Sequence, residues 1–323
     1  RGFTLIELMV ALALGLILVA VATQLFIGGL LSSRLQKANA EIQDSGIFGL
    51  EYIARDIRLL NYGNVTNPIL TDTTPWGGVV LTASTATNNN NVNFVPNVGT
   101  NTYIADTLLS RGAGDTVSTV SNHWKGLSNI QNSSNTAVQS DQLTIQFIAP
   151  TNMTNCEGVN VLAGDLIVER YFLRLDSNGS SQQDYALACD ANTPSAVATA
   201  QPTTVAGLGD AGQIVLPRID HFHVLFGAKN AAGNFAYYTI PQYRAAAQAA
   251  RDATPSVMPP RILSIQISVL ARSTNNAQSK AIDPEQSFFM LDQTVHASDN
   301  TTRFLRRTYN LTIALRNAMG ESL

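Results

Sequence analysis

Charge is what this sequence has least of. Only 13% of its 323 residues are Asp, Glu, Lys or Arg, about half the ~25% of an ordinary soluble domain. Twenty basic residues stand against 23 acidic ones for a net charge of -3, which excludes nucleic-acid binding through bulk positive charge. Cysteine is as scarce: Cys156 and Cys189 cannot build a Cys-rich metal framework, though they can make one disulfide. Histidine occurs four times, and there is no Gly-x-Ser-x-Gly elbow, Walker-type phosphate loop, His-Glu-x-x-His helix or Cys-x-x-Cys pair. Catalysis therefore has no motif to rest on, and no cofactor or metal is implied. Proline is missing before Pro68, so nothing interrupts a helix over that stretch. Asn, Thr, Ser and Ala stand where charge would otherwise be, a balance that suits an exported protein. The chain does not open on Met, and we read it as trimmed or partial.

What is present begins with a long apolar run. Between Phe3 and Ser33 the only charge is Glu7, and residues 8–22 are unbroken apolar. As a helix, residues 3–31 span roughly 40 Å, enough for a ~30 Å hydrocarbon core. A cleaved secretory signal would place a small-residue cleavage site after a shorter apolar run. Here Arg1 and Gly2 come before it, so the segment is read as retained. After Arg34 the apolar residues become periodic. Leu35, Ala38, Ile42, Gly46, Leu50, Ile53, Ile57 and Leu60 trace one helical face. Arg34, Lys37, Glu41, Asp44, Glu51, Arg55 and Arg58 lie largely off it, and Asn61-Tyr62-Gly63 supplies a stop. The glycines at 15, 28, 29, 46 and 49 mark either close packing or bendable points.

Glu7 is the uncomfortable residue. A carboxylate deep in an apolar span costs at least ~2.5 kcal/mol. Either it snorkels to the interface or it has a partner cation. A cut after Gly2 would create an amine at Phe3, four residues away along the helix. Such a pair is better suited to setting register between packed helices than to adding stability.

The run Arg1-Gly2-Phe3-Thr4-Leu5-Ile6-Glu7-Leu8-Met9 resembles the prepilin signature of type IV pilins and type II secretion pseudopilins. The resemblance implies cleavage between Gly2 and Phe3 by a prepilin peptidase, N-methylation of the Phe3 amine, and Glu7 as the residue that recruits the subunit into a filament. The remainder reads as a β-rich head. Strand-prone runs occur at residues 143–147, 165–175, 185–189, 213–216, 221–226, 235–240, 263–271 and 305–315. A helical turn or two starts at Pro241 and runs through residues 245–250. The polar tracts 85–93 and 128–141 are expected to be loops that bury little. One helix followed by antiparallel strands is an α+β class. Cys156, the hairpin ending at Cys189, the strand at 261–272 and the ending 303–317 resemble the PilW group of minor pilins.

The expected organisation is a leader remnant (1–2), a transmembrane or filament-core half-helix (3–33), an amphipathic half-helix (34–62) and a pilin-like head (63–323). The resemblance implies a minor pilin acting in assembly without catalysis. Its partners would be other minor pilins, the major pilin, the prepilin peptidase and the inner-membrane assembly platform. It would sit in the inner membrane, head in the periplasm, before assembly, and in a pilus at the cell surface afterwards. A type II secretion pseudopilin of the GspJ kind, a filament-displayed adhesin or DNA-uptake module, and a single-span membrane enzyme are the alternatives.

Smaller constellations have plainer readings. In an exported head, Cys156 and Cys189 favour a bridge over free or metal-bound thiols. Closing that loop stabilises by about 4 kcal/mol in the chain-entropy model. His221 and His223 share a strand face at zinc-compatible spacing but lack a third ligand, and read as a half-exposed pair. Asp176, Asn178 and Asp184 around Gly179 read as a hairpin turn rather than a calcium loop. Arg303, Arg306, Arg307 and Arg316 read as a solvated face.

Overall fold

The computed structural model describes residues 2, 4–85, 92–98, 103–177, 184–194, 204–277 and 279–320. Helix α1 (Leu5–Leu59) runs for 55 residues, roughly 80 Å at 1.5 Å per residue. Past its end Asn61 (φ 65°) and Gly63 (φ 84°) take the left-handed conformation, the geometry that Asn and Gly tolerate best. Its two halves differ in kind. The large apolar side chains from Leu5 to Leu30 are exposed, whereas Ala38, Ile42, Leu50, Ile53, Ile57 and Leu60 are buried on one face. The periodic stripe is thus the packed face.

The head follows in chain order. The first strands are β1 (Asn97–Val98), β2 (Ile130–Asn132), β3 (Leu143–Ile148), β4 (Met153–Thr154) and β5 (Asn160–Val161). Then come β6 (Leu166–Leu175), β7 (Tyr185–Ala191), β8 (Thr204–Val205), β9 (Gln213–Leu216), β10 (Ile219–Lys229) and β11 (Phe235–Thr239). Helix α2 (Ile240–Asp252) precedes β12 (Arg261–Arg272), β13 (Ser287–Met290), β14 (Gln293–Ala297) and β15 (Arg306–Ala314). Two four-stranded antiparallel sheets, ordered β11-β10-β12-β15 and β3-β6-β7-β9, form the body, with β13-β14-β2 as a third sheet. The C-terminal half of α1 touches β12 and β15 of the first sheet and β3 and β9 of the second. Its buried face and both sheets share one apolar core. The class is α+β, as the order of elements predicts.

Two helix glycines owe their place to packing. A Cβ on Gly46 would lie 2.2 Å from the Tyr309 ring of β15, and one on Gly49 would lie 2.2 Å from Leu216 of β9. Gly15, Gly28 and Gly29 have nothing within 4 Å. The close-packing reading holds at 46 and 49 only. Gly46→Ala gains about 1 kcal/mol of helix propensity but forces the tyrosine ring away, an overpacking cost of about 1–3 kcal/mol. We expect a net loss in urea unfolding of the full chain in micelles, and no loss for Gly15→Ala.

Three expectations are corrected, and one hairpin is new. The tract 128–141 is not a loop throughout: it contains β2, and Ile130, Ser140 and Asp141 are buried. In the tract 85–93, the described Asn93 is fully buried, its amide donating to Thr71 O (2.7 Å) and Thr74 O (3.0 Å). Polar residues enter the interior here because main-chain carbonyls receive them. Helix α2 runs for 13 residues rather than a turn or two, opened by a Thr239/Gln242 capping box and anchored by buried Ile240, Tyr243 and Ala247. The β13–β14 hairpin went unread because its turn uses Leu291 at φ 57°, where turn rules look for Gly or Asn. The turn at 178–183 lies outside the described residues, although β6 and β7 pair antiparallel across it.

Candidate functional site

The N-terminal segment carries the first candidate site. Gly2 is exposed, and Phe3 lies outside the described residues. Thr4 caps α1: Glu7 N–H donates to its hydroxyl (3.4 Å), while the Thr4 N–H and hydroxyl each donate to Glu7 Oε2 at 2.9 Å. This capping box gives Glu7 a local partner that attention to its charge alone passed over, although Thr-x-x-Glu ahead of an apolar run is its sequence mark. Beyond it, Leu5 (78% exposed), Leu18 (71%) and Phe26 (68%) represent a rod with no partner among the described residues. Among the described residues α1 is the one helix long and apolar enough to cross a membrane. Apolar surface on this scale calls for lipid or for other helices.

The second half of α1 is fastened to the head by polar groups as well as by its apolar stripe. Asp56, fully buried, receives the Arg55 Nε–H (2.9 Å) and the Tyr171 hydroxyl (3.0 Å), which lies 3.1 Å from Glu169 Oε2. Burial, reinforced by Asp56, pushes Glu169 up to about 8, so it holds a proton at neutral pH. At the end of the head nearest the exposed half of α1, the Thr274 hydroxyl donates to Glu41 (2.8 Å). At the far end, the Asn61 amide donates to Asn317 O (2.9 Å) and the Asn317 amide to Arg58 O (3.1 Å). Tyr171, Thr274 and Asn317 all lie far in sequence from the helix they hold, which is why no local pattern announced them.

Inside the head, Cys156 and Cys189 are bridged, with Cα atoms 6.0 Å apart. His221 and His223 are buried, not half-exposed. His221 Nδ1 meets the Ser128 and Ser140 hydroxyls at 3.1 Å, and its Nε2 accepts from the Gln293 amide (3.0 Å). His223 donates from Nδ1 to Asp141 (2.8 Å) and from Nε2 to Asp292 (2.8 Å). All four ring nitrogens are engaged, so the pair offers nothing to zinc. The arginine cluster divides: Arg306 Nε donates to buried Asp220 (2.8 Å) and Arg303 to Ile282 O, while Arg307 and Arg316 are exposed.

His223 gives the head a pH dependence. Burial opposes its charge, but Asp141 and Asp292 overcome that and raise it to about 10. The folded value lies above the unfolded ~6.5, so this contribution is complete below pH 6.5 and fades as pH rises toward 10. Glu169 acts in the same sense between about 4.5 and 8. Denaturant unfolding of the full chain should show falling stability from pH 6.5 to 10, with a shallower decline for His223→Gln. An unchanged slope would remove His223 from this role.

An apolar rod with a capped start, its second half clamped to a β-rich head, is an arrangement that resembles type IV pilins. The prokaryotic N-terminal methylation motif matches residues 1–23. More particularly, the model of the family described as type IV pilus-assembly protein W matches residues 170–317, and the resemblance to PilW-type pilins is borne out. Among solved structures a type IV-like pilin from Thermus thermophilus is similar, with 12% identity and a TM-score of 0.36 over 85% of this chain and 97% of that one. No curated protein matches the chain.

Proposed function

We propose that the chain is a non-enzymatic minor pilin that takes part in the initiation and assembly of type IV pili by packing its N-terminal helix against those of other pilins. The observation that carries this reading is the single helix α1, exposed and apolar over one half and clamped to the head over the other. Residues 3–33 would lie in the inner membrane before assembly and in the filament core afterwards. Residues 34–62 tie them to the head, 63–323, which faces the periplasm and then the cell exterior. The prepilin peptidase would remove residues 1–2, and Phe3 would carry the N-methyl group. The inner-membrane assembly platform, the major pilin and other minor pilins are the partners this requires. The family match over 170–317 supports a pilus rather than a secretion system.

The test is mass spectrometry of sheared, purified pili. We expect peptides of the head, and an N-terminal peptide that begins at methylated Phe3. A mature chain still bearing Arg1 and Gly2, absent from pili, would overturn the proposal.

A further inference from the structure

The disulfide sets two carboxylates side by side. The residue after each bridged cysteine is acidic, Glu157 after Cys156 and Asp190 after Cys189. Asp210, exposed on the segment leading into β9, is the third member. One carboxylate oxygen from each of the three lies within 4.8 Å of the other two, the separation of two oxygens on opposite sides of an ion with ~2.4 Å bonds.

Asp190 turns this from a crowd of charges into a site. Its side chain is fully buried. Oδ2 is saturated, accepting from Arg170 Nε (3.0 Å), Arg170 Nη2 (2.6 Å) and the Gly209 N–H (2.9 Å). Oδ1 is buried and has no hydrogen-bond partner among the described residues. Leaving an oxygen of a buried anion unpaired is costly. Arg170 is already spent on Oδ2, and the other charged groups of the cluster are carboxylates, which cannot donate while ionised. One guanidinium faces three carboxyl groups, and burial with the neighbouring Asp210 and Asp190 pushes Glu157 up to about 7.

We propose that Glu157, Asp190 and Asp210 bind a divalent cation, with Asp190 bridging Arg170 through Oδ2 and the ion through Oδ1, and that the ion is calcium. The donors are all carboxylate oxygens, and both nearby sulfurs are locked in the bridge, so soft metals such as zinc gain nothing here. Asp210 opens the site to solvent, and water completes the coordination shell. With three protein ligands, the affinity belongs to the class of extracellular calcium modules, about 10⁻⁴–10⁻³ M. The ion would tie the segment before β9 and the segment after Cys156 to the centre of the β3-β6-β7-β9 sheet.

The competing arrangement is a proton on Glu157 donated to Asp190, with no metal. Thermal unfolding of the full-length chain in detergent at pH 7.5 separates the two, comparing EDTA with 10 mM CaCl2 and 10 mM MgCl2. We expect calcium to raise the midpoint by about 3 °C or more and magnesium to raise it less. Equilibrium dialysis with calcium should give one ion per chain. In Glu157→Gln/Asp210→Asn both signals should vanish, while the variant in EDTA stays at least as stable as the parent because repulsion has been relieved. No calcium response in the parent chain, or an equal response in the double variant, overturns the site.

Discussion

Glu7→Ala and Glu7→Gln are expected to leave the chain in the membrane and to lower its amount in purified pili by roughly tenfold or more. Removing a carboxylate from an apolar span makes insertion easier, so membrane content cannot be the step that fails. Glutamine is the more telling change. It can keep the capping box, which accepts Glu or Gln at this position, yet it discards the charge. If Glu7 serves only to cap α1, Glu7→Gln assembles normally, and Thr4→Ala, which removes about 1 kcal/mol of capping, is the more harmful variant. If Glu7 answers the amine of a processed Phe3 on its own or a neighbouring helix, both Glu7 variants fail and Thr4→Ala is mild. We expect the second pattern. Quantifying the chain in membranes and in sheared pili reads both quantities from one culture.

Legibility in the sequence followed the range of the interaction. The apolar run, the stripe from Ala38 to Leu60 and the Asn61–Gly63 stop depend on neighbours three or four residues apart, and α1 ends where they say it should. Strands with an alternating sequence were as readable: β12 and β15 lie where alternation places them. Strand β6 was placed as well, but the layer that covers it was not foreseen. Strand β6 is buried on both faces along most of its length, because Val80, Phe94 and Leu108, from segments that look like loop, pack on Leu166 and Val168. Arg170 and Asp190 were therefore passed over as residues of ordinary strands. Asp56 was missed because the Tyr171 hydroxyl that donates to it comes from a strand 115 positions away. The N-terminal site was legible as a motif, but the pairing of Thr4 with Glu7 was overlooked in favour of Glu7's charge.

The few charges are spent inward. Of 20 basic and 23 acidic residues, at least eleven are buried. Buried pairs of this kind add little net stability over apolar packing, but breaking one is expensive. The head should therefore tolerate surface change well and changes to its internal ion pairs badly.

Asp220→Ala is the sharpest test of that asymmetry, with an expected loss of roughly 3–5 kcal/mol, a large fraction of the ~5–15 kcal/mol that holds a domain folded. Asp220 opens β10 and is fully buried; it accepts from Asn129 Nδ2 (2.9 Å) and Arg306 Nε (2.8 Å), and Arg272 Nε lies 3.0 Å away. Its removal strands two cations whose side chains are only 4% and 5% exposed. They are not equally trapped. Arg306 lies on β15, an edge strand, and can swing toward water, whereas Arg272 lies on β12 between β10 and β15, its guanidinium 4.4 Å from the Phe304 ring centroid. Arg272 keeps Asp184 as a partner, so complete unfolding is not expected. The loss should be shared with Arg306: Asp220→Ala/Arg306→Met is expected to cost less than the sum of the single changes by about 1–3 kcal/mol. Urea unfolding of full-length variants at constant m-value measures each corner of this cycle. Additive losses, or a single-variant loss below ~1 kcal/mol, would show that water already screens this pair and that the head's interior charges are not its weak points.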